Sequence, residues 1–452
     1  MTSRGTILAA SLFLGGCYLG HGLTDLDAGR ATTDAGWMSP RVDAGRRDTG
    51  RPDSGPTDAG PFDAGELLPA EDDPEVNPGD RPSDLPTAEE WTDVDPMADL
   101  CCAVDEPIEV TPRSAQGSQP AVAWSGRGWS LLFQSDPGSA FRLHHATVDP
   151  EVQRVESFGE VRGGTWVQGH EWAVGRHAVV TSPIFRSENV RFGAVDARGT
   201  LAWSWTELPA EDGHGDVARQ ALGGLWAVIT REGGRHMLRG FRDGSATIVH
   251  SVDAPLDGAH LRVEGMASRV AAVWVGDRRL WMQSVVMGEG PLDDRMDLGE
   301  TSPSTDSSLR TGRLRDSVLV THVSRDLAWL TTANPFDGSH TRVAFGPGRV
   351  GDRPIGVVGV DKHGVIGACV PTGPGPHGGA SGRAAEGVAF YLLAADGDRL
   401  AGPIQVVDEL FNIGGCAVAF HVDSFIVVWW RASGTREYNS LWARRLHTQL
   451  DR

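Results

Sequence analysis

From about residue 108 onward, short apolar runs return at a nearly constant interval along the chain. They are Trp129-Ser-Leu-Leu-Phe133, His177-Ala-Val-Val-Thr181, Trp226-Ala-Val-Ile-Thr230, Val270-Ala-Ala-Val-Trp274, Ser317-Val-Leu-Val-Thr321, Gly364-Val-Ile-Gly-Ala368 and Phe425-Ile-Val-Val-Trp429. Each has the length and the β-branched, aliphatic or aromatic content of a buried strand. About 20 residues after each run comes a turn position: Asp149, Asp196, Asp243, Gly290 and Asp337, spaced by 47, and then Asp396 after 59. An interval of 47 lengthened once by 12 is a structural repeat with one insertion.

Around these marks each unit reads as four strands. The first ends in a turn, as in Ala121-Val-Ala-Trp124 before Ser-Gly-Arg-Gly128, and the second is the apolar run. The third precedes the marker, as in Val190-Arg-Phe-Gly-Ala-Val195 or Ala389-Phe-Tyr-Leu-Leu393, and a fourth follows, as in Ile404-Gln-Val-Val407. Asp243-Gly244, Asp337-Gly338 and Asp396-Gly397 favour tight hairpins, because glycine accepts positive φ. No comparable stretch has a helical period. The pattern predicts an all-β fold, a seven-bladed β-propeller of four-stranded antiparallel blades, over residues 101–452. The blades fall at about 119–158, 165–208, 213–254, 260–299, 306–346, 353–408 and 412–447. The last unit has a third strand, Leu441-Trp-Ala-Arg-Arg-Leu446, and no fourth, while Ile108-Glu-Val-Thr111 stands alone before the first unit. Donating strand 108–111 to the last blade would close the ring and cover an open edge.

The N-terminal residues follow another pattern. Arg4 precedes the apolar stretch Ile7-Leu-Ala-Ala-Ser-Leu-Phe-Leu14, too short to span a bilayer. Leu14-Gly15-Gly16-Cys17 resembles the lipobox of bacterial lipoproteins: Leu three before the thiol, two small residues, then the cysteine that takes the lipid. The resemblance covers residues 1–17 and implies that 1–16 are a signal peptide, that Cys17 is the lipid attachment site, and that the protein is held in the cell envelope. Tyr18 is not the Asp that retains lipoproteins of enteric bacteria at the inner membrane, so the outer membrane is expected. Residues 27–65 repeat Asp-Ala-Gly, at Asp27, Asp34, Asp43, Asp58 and Asp63, with few large apolar residues. Such a segment cannot bury enough surface to offset its ordering entropy, so 17–100 is expected to be a disordered acidic tether.

Charge sharpens this division. The formal net charge is −19, but residues 18–107 alone hold 22 acidic residues against six arginines. The repeat region is near neutral, so nucleic-acid binding is not expected. Besides Cys17 there are Cys101, Cys102, Cys369 and Cys416. Cys369 ends the second strand of blade six and Cys416 begins the first strand of blade seven, which makes them the candidate disulfide. Cys101 and Cys102 are adjacent and precede the closing strand, either as a vicinal bridge or with one paired elsewhere.

Few motifs carry chemistry. H-E-x-x-H, G-x-S-x-G, P-loop, EF-hand and sialidase Asp-box patterns are absent. His144 and His145 are neighbours on a strand, so their rings face opposite ways and cannot share a metal. His170-Glu171-Trp172 opens blade two, where it lines the channel or forms a polar rim. Most tryptophans fall on strands and suit packing between blades better than a carbohydrate platform. Ala194-Val-Asp-Ala-Arg-Gly-Thr-Leu-Ala-Trp203 resembles the blade motif of quinoprotein-dehydrogenase-like propellers. It occurs once, so no cofactor follows from it. The insertion 371–386, with Pro371, His377, Arg383 and Glu386, is the candidate binding loop, equally readable as a tolerated excursion. These observations imply no catalytic residue, metal or cofactor. The expected function is a monomeric, lipid-anchored binding or scaffold module for an envelope or extracellular protein or glycan. The alternative is an envelope hydrolase or lyase acting at the channel mouth, and carboxylates or histidines converging there would favour it.

Overall fold

The computed structural model describes residues 101–111, 120–135, 142–182, 188–220, 224–242, 245, 248–254, 259–291, 295–301, 309–324, 327–347, 355–372, 387–407, 412–432 and 440–450. These residues form seven antiparallel sheets, the blades of a propeller. Blade 1 runs Ala121–Trp124, Trp129–Ser135, Arg142–Val148 and Val155–Val161, and blade 2 runs Trp166–Ala173, Arg176–Ser182, Asn189–Asp196 and Leu201–Pro209. Blades 3 to 7 begin with Gly215–Gln220, Ala259–Gly265, Arg310–Leu314, Gly356–Val360 and Asn412–His421. These first strands lie innermost, around the axis. Among the described residues no helix is long and apolar enough to cross a membrane.

Each second strand lies between two neighbouring blades and is buried on both faces. Its sequence is therefore continuously apolar instead of alternating, as in Val270–Gly276 of blade 4. Trp129, Trp226, Trp274 and Trp430 are fully buried. Trp203 of blade 2 meets Trp226 of blade 3 edge-on at 5.7 Å, the inter-blade packing expected of the tryptophans. One buried polar contact spans the repeat distance. Ser130 Oγ lies 2.8 Å from His145 Nε2 and 2.9 Å from His177 Nε2, its counterpart 47 residues on in blade 2. His144 faces the other way and stacks on Phe133 and Phe158.

The marker residues close turns between third and fourth strands. The Asp149 carboxylate accepts the N–H groups of Gln153 and Arg154, that of Asp196 accepts those of Arg198 and Thr200, and that of Asp337 accepts that of Ser339. A short side-chain acceptor that bonds its own backbone a few residues on is what selects Asp at such turns. Gly338 and Gly397, after Asp337 and Asp396, have φ of 77° and 94°. Asp243 and Gly244 lie outside the described residues. Blade 4 departs from the pattern: its fourth strand is split into Gly290–Pro291 and Met296–Glu300, both paired with Arg279–Val286.

The ring closes through the N-terminal segment, and more extensively than the single strand 108–111 expected from sequence. Two pieces, Cys101–Val104 and Ile108–Glu109, pair with Ser440–Thr448 of blade 7, with Cys101 opposite Thr448 and Ile108 opposite Ala443. Cys101 and Cys102 thus lie in the closing strand instead of before it. Pro107 has no N–H to give the ladder and falls between the two pieces. Beyond them the Val110 N–H donates to the Leu441 carbonyl at 2.7 Å, and the Leu441 N–H donates to Thr111 Oγ1 at 3.0 Å. Between them Asp105 Oδ2 pairs with His447 Nε2 at 2.8 Å.

Candidate functional site

The seven first strands surround a cavity of about 510 Å³ on the axis. Its wall divides by blade. Blades 6, 7 and 1 supply Gly356, Val357, Val358, Ala417, Val418, Ala419, Val122 and Ala123, all uncharged, with Asp361, just after the first strand of blade 6, as the one carboxylate among the described residues on that side. Blades 2 to 5 supply His170, Glu171, Asp216, Arg219, Arg262, Glu264, Arg310 and Arg313. Trp124, Trp172 and Phe420, near the C-terminal ends of their strands, also line the cavity and are half-buried. Trp124 stacks on His421 of blade 7, with ring centroids 3.8 Å apart.

Glycine is what lets charged side chains fit so close to the axis. A Cβ on Gly169 would lie 2.0 Å from Asp216 Oδ1, so only glycine at this position of blade 2 leaves room for the blade 3 carboxylate. Asp216 is 5% exposed, and its Oδ2 accepts the Val263 N–H of blade 4 at 3.0 Å. Burial pushes its pKa up, against the pull of Arg262 and of the backbone N–H groups of Val263 and Val217.

Two groupings follow along the strands. In one, Arg262 Nε donates to the Leu309 carbonyl at 3.2 Å, and Arg310 Nη1 donates to the same oxygen. Burial, and then the neighbouring Arg262, push Arg310 well below its ordinary value, with Asp216 acting in the opposite sense. His170 is pushed down to about 4 by burial and by Arg310 and Arg262, so it is a neutral imidazole at physiological pH. In the other grouping, burial pushes Glu171 up to about 7, opposed by Arg313 and Arg219 and reinforced by Asp216. Glu264, 7% exposed, is raised well above the carboxylate range by burial and by Glu171. A protonated carboxyl beside one near its titration point can donate as well as accept protons. Among the described residues no group of three or more His, Cys, Asp or Glu is placed to hold a metal ion.

The residues singled out from sequence meet this site only in part. His170, Glu171 and Trp172 do line the channel. Pro371 is buried in the second strand of blade 6, Val365–Thr372, while His377, Arg383 and Glu386 lie outside the described residues, as does Cys17. Cys369 and Cys416 are joined, with Cα atoms 6.2 Å apart, and Cys101 is joined to Cys102. Asp216, Arg219, Arg262, Glu264, Arg310 and Arg313 escaped the sequence reading. Their signal is visible in hindsight: stacking the first strands at 47-residue offsets gives Gly169, Asp216, Val263, Arg310 and Val357 at one level, a position whose chemistry changes from blade to blade.

No protein-family model matches the chain, and no curated protein matches it. Solved structures with a similar trace include the WD40 domain of Toxoplasma gondii coronin, at 11% identity over 77% of this chain and 87% of that one, with a TM-score of 0.47. A protein of unknown function from Dyadobacter fermentans aligns at 11% identity over 77% of this chain and 99% of that one, with a TM-score of 0.43. The seven-bladed propeller is established by the strand pairing of the chain itself.

Proposed function

We propose that the protein is a lipoprotein held in the outer membrane through Cys17, and that its propeller is a binding module for a glycan of the envelope or its surroundings, received in the central channel. The observation that carries this reading is that one cavity holds both half-buried tryptophans, Trp124 and Trp172, and a wall of charged hydrogen-bonding side chains. Sugars offer apolar ring faces and dense hydroxyls, and these two surfaces match them. The cavity volume lies in the range of sites that enclose small ligands, about 300–1,000 Å³. The test is a glycan array probed with the full chain and with Arg313→Ala, which removes an exposed lining side chain that buries little. Binding to a defined glycan class, lost in the variant at unchanged melting temperature, is expected. Equal binding by both would place the glycan elsewhere. For the anchor, Cys17→Ser should move the protein from the membrane to the soluble fraction.

A second reading draws on Glu171 and Glu264. A carboxyl with a pKa of about 7 beside a more strongly protonated one suits a general acid and base, and so a hydrolase or lyase acting on the same glycan. Shortened products released by the wild type, and not by Glu171→Gln, would establish it. Binding without products leaves the module reading.

A further inference from the structure

Deepening the channel-binding reading, on which it rests, we infer that the ligand presents an anionic group, a carboxylate or sulfate on a ring-sized body, to the guanidinium groups of Arg262 and Arg310. Both arginines give a hydrogen bond to one acceptor, the Leu309 carbonyl, which brings two cations together on neighbouring blades. The carboxylate beside them, Asp216, already spends Oδ2 on the Val263 N–H. Arg310 Nε is buried and has no hydrogen-bond partner among the described residues. Two half-buried cations beside one partly used carboxylate are incompletely compensated, and a bound anion supplies the missing charge and acceptors.

The rest of the wall bears on the same balance. Arg219 and Arg313 bring the lining arginines to four, facing Glu171, Asp216 and Glu264 on blades 2 to 5. Asp361, also lining the cavity, already accepts the Arg315 N–H at 2.6 Å. The four arginines are thus matched in number by four carboxylates, and burial, by raising the pKa of Glu171 and Glu264, shifts that balance toward positive charge. Across the channel Val357, Val358, Ala417 and Val418 offer apolar surface. A ligand that satisfies both sides has an acid group on one edge and an apolar or ring face on the other. A cationic or purely apolar ligand would bring no acceptor to Arg310 Nε and no charge to balance the guanidinium groups of Arg262 and Arg310.

The test uses the full chain and two dyes that share an apolar body: anilinonaphthalene sulfonate, which is anionic, and phenylnaphthylamine, which is not. The expected result is saturable binding of the sulfonate dye at one site per chain, at least about tenfold tighter than the neutral dye, as one charge-assisted hydrogen bond can supply. Arg310→Gln and Arg262→Gln should each abolish that preference and leave the affinity for the neutral dye in place. Glucuronate and glucose sulfate should displace the anionic dye where glucose at equal concentration does not, and the stronger of the two identifies the acid group. Equal affinity for the two dyes in the wild-type chain would overturn the inference and leave a binding cavity standing. Failure of both dyes to bind would overturn the inference together with the channel-binding reading.

Discussion

The carboxylate of Asp216 accepts the backbone N–H of Val263 at 3.0 Å, from a position one 47-residue repeat earlier in the chain. One contact thereby ties the inner strand of blade 3 to that of blade 4 and fixes a carboxylate in the channel wall. Asp216→Ala should leave the Val263 N–H unsatisfied and remove the carboxylate beside Arg262 and Arg310. A loss of about 3 kcal/mol is expected for a buried charged acceptor, measured by urea denaturation. Gly169→Ala should be at least as damaging, because its Cβ would lie 2.0 Å from Asp216 Oδ1. Wild-type stability in both would show that this contact does not organise the axis.

The closing strand predicts an all-or-none effect. Removing residues 102–112 would strip the outer edge of Ser440–Thr448 and expose its unpaired backbone groups. Cooperative unfolding and monomeric sedimentation should both be lost. An unchanged melting temperature would mean that the ring closes without this segment.

Cys369 and Cys416 link blades 6 and 7 and close a loop of 47 residues. In the chain-entropy account such a loop is worth about 4 kcal/mol. The double variant Cys369→Ser, Cys416→Ser should therefore unfold at clearly lower urea than the wild type. Since both cysteines are fully buried in the folded chain, dilute reductant applied for hours in native buffer and removed before unfolding should leave the midpoint unaltered. Equal midpoints for wild type and variant would remove the bridge from the stability account.

Acid and neutral conditions should load the fold in opposite ways. Burial holds His145 and His170 down to about 4 and His322 down to about 3. The unfolded chain binds protons at these sites below about pH 6.5, so stability should fall as pH drops from about 6.5 toward 4. Glu171 has the reverse sign. It stays protonated in the fold up to about 7, while the unfolded chain releases that proton above about 4.5, so this site lowers stability as pH rises between those values. Glu171→Gln should match the wild type below about pH 4.5 and gain on it up to pH 7, by at most about 3 kcal/mol. A constant difference across the range would exclude Glu171 as the titrating group.

Much of the architecture could be read from the chain because each blade repeats the same local physics. The buried second strands announce themselves as continuous apolar runs, such as Val270–Gly276. The turns announce themselves through Asp149, Asp196 and Asp337, whose carboxylates close them. The split fourth strand of blade 4 and the two-piece closing strand were not legible, since strands as short as Gly290–Pro291 and Ile108–Glu109 have no period to detect. The channel was harder still. Arg262 and Arg310 meet only because the ring places Leu309, 47 residues beyond Arg262, against both side chains. No local motif contains them, and each alone reads as an ordinary strand arginine. His170-Glu171 stood out because two ionisable residues adjoin at the start of a blade.

A channel whose charged half binds an anion, as proposed, should also bind a heavy halide there. The most direct measurement is the anomalous scattering of crystals of the full chain soaked in bromide. A bromide peak within hydrogen-bonding distance of the Arg262 and Arg310 guanidinium groups, absent in Arg310→Gln crystals, is the predicted result. Bromide bound at surface arginines while the channel wall of blades 3 to 5 stays empty would contradict it.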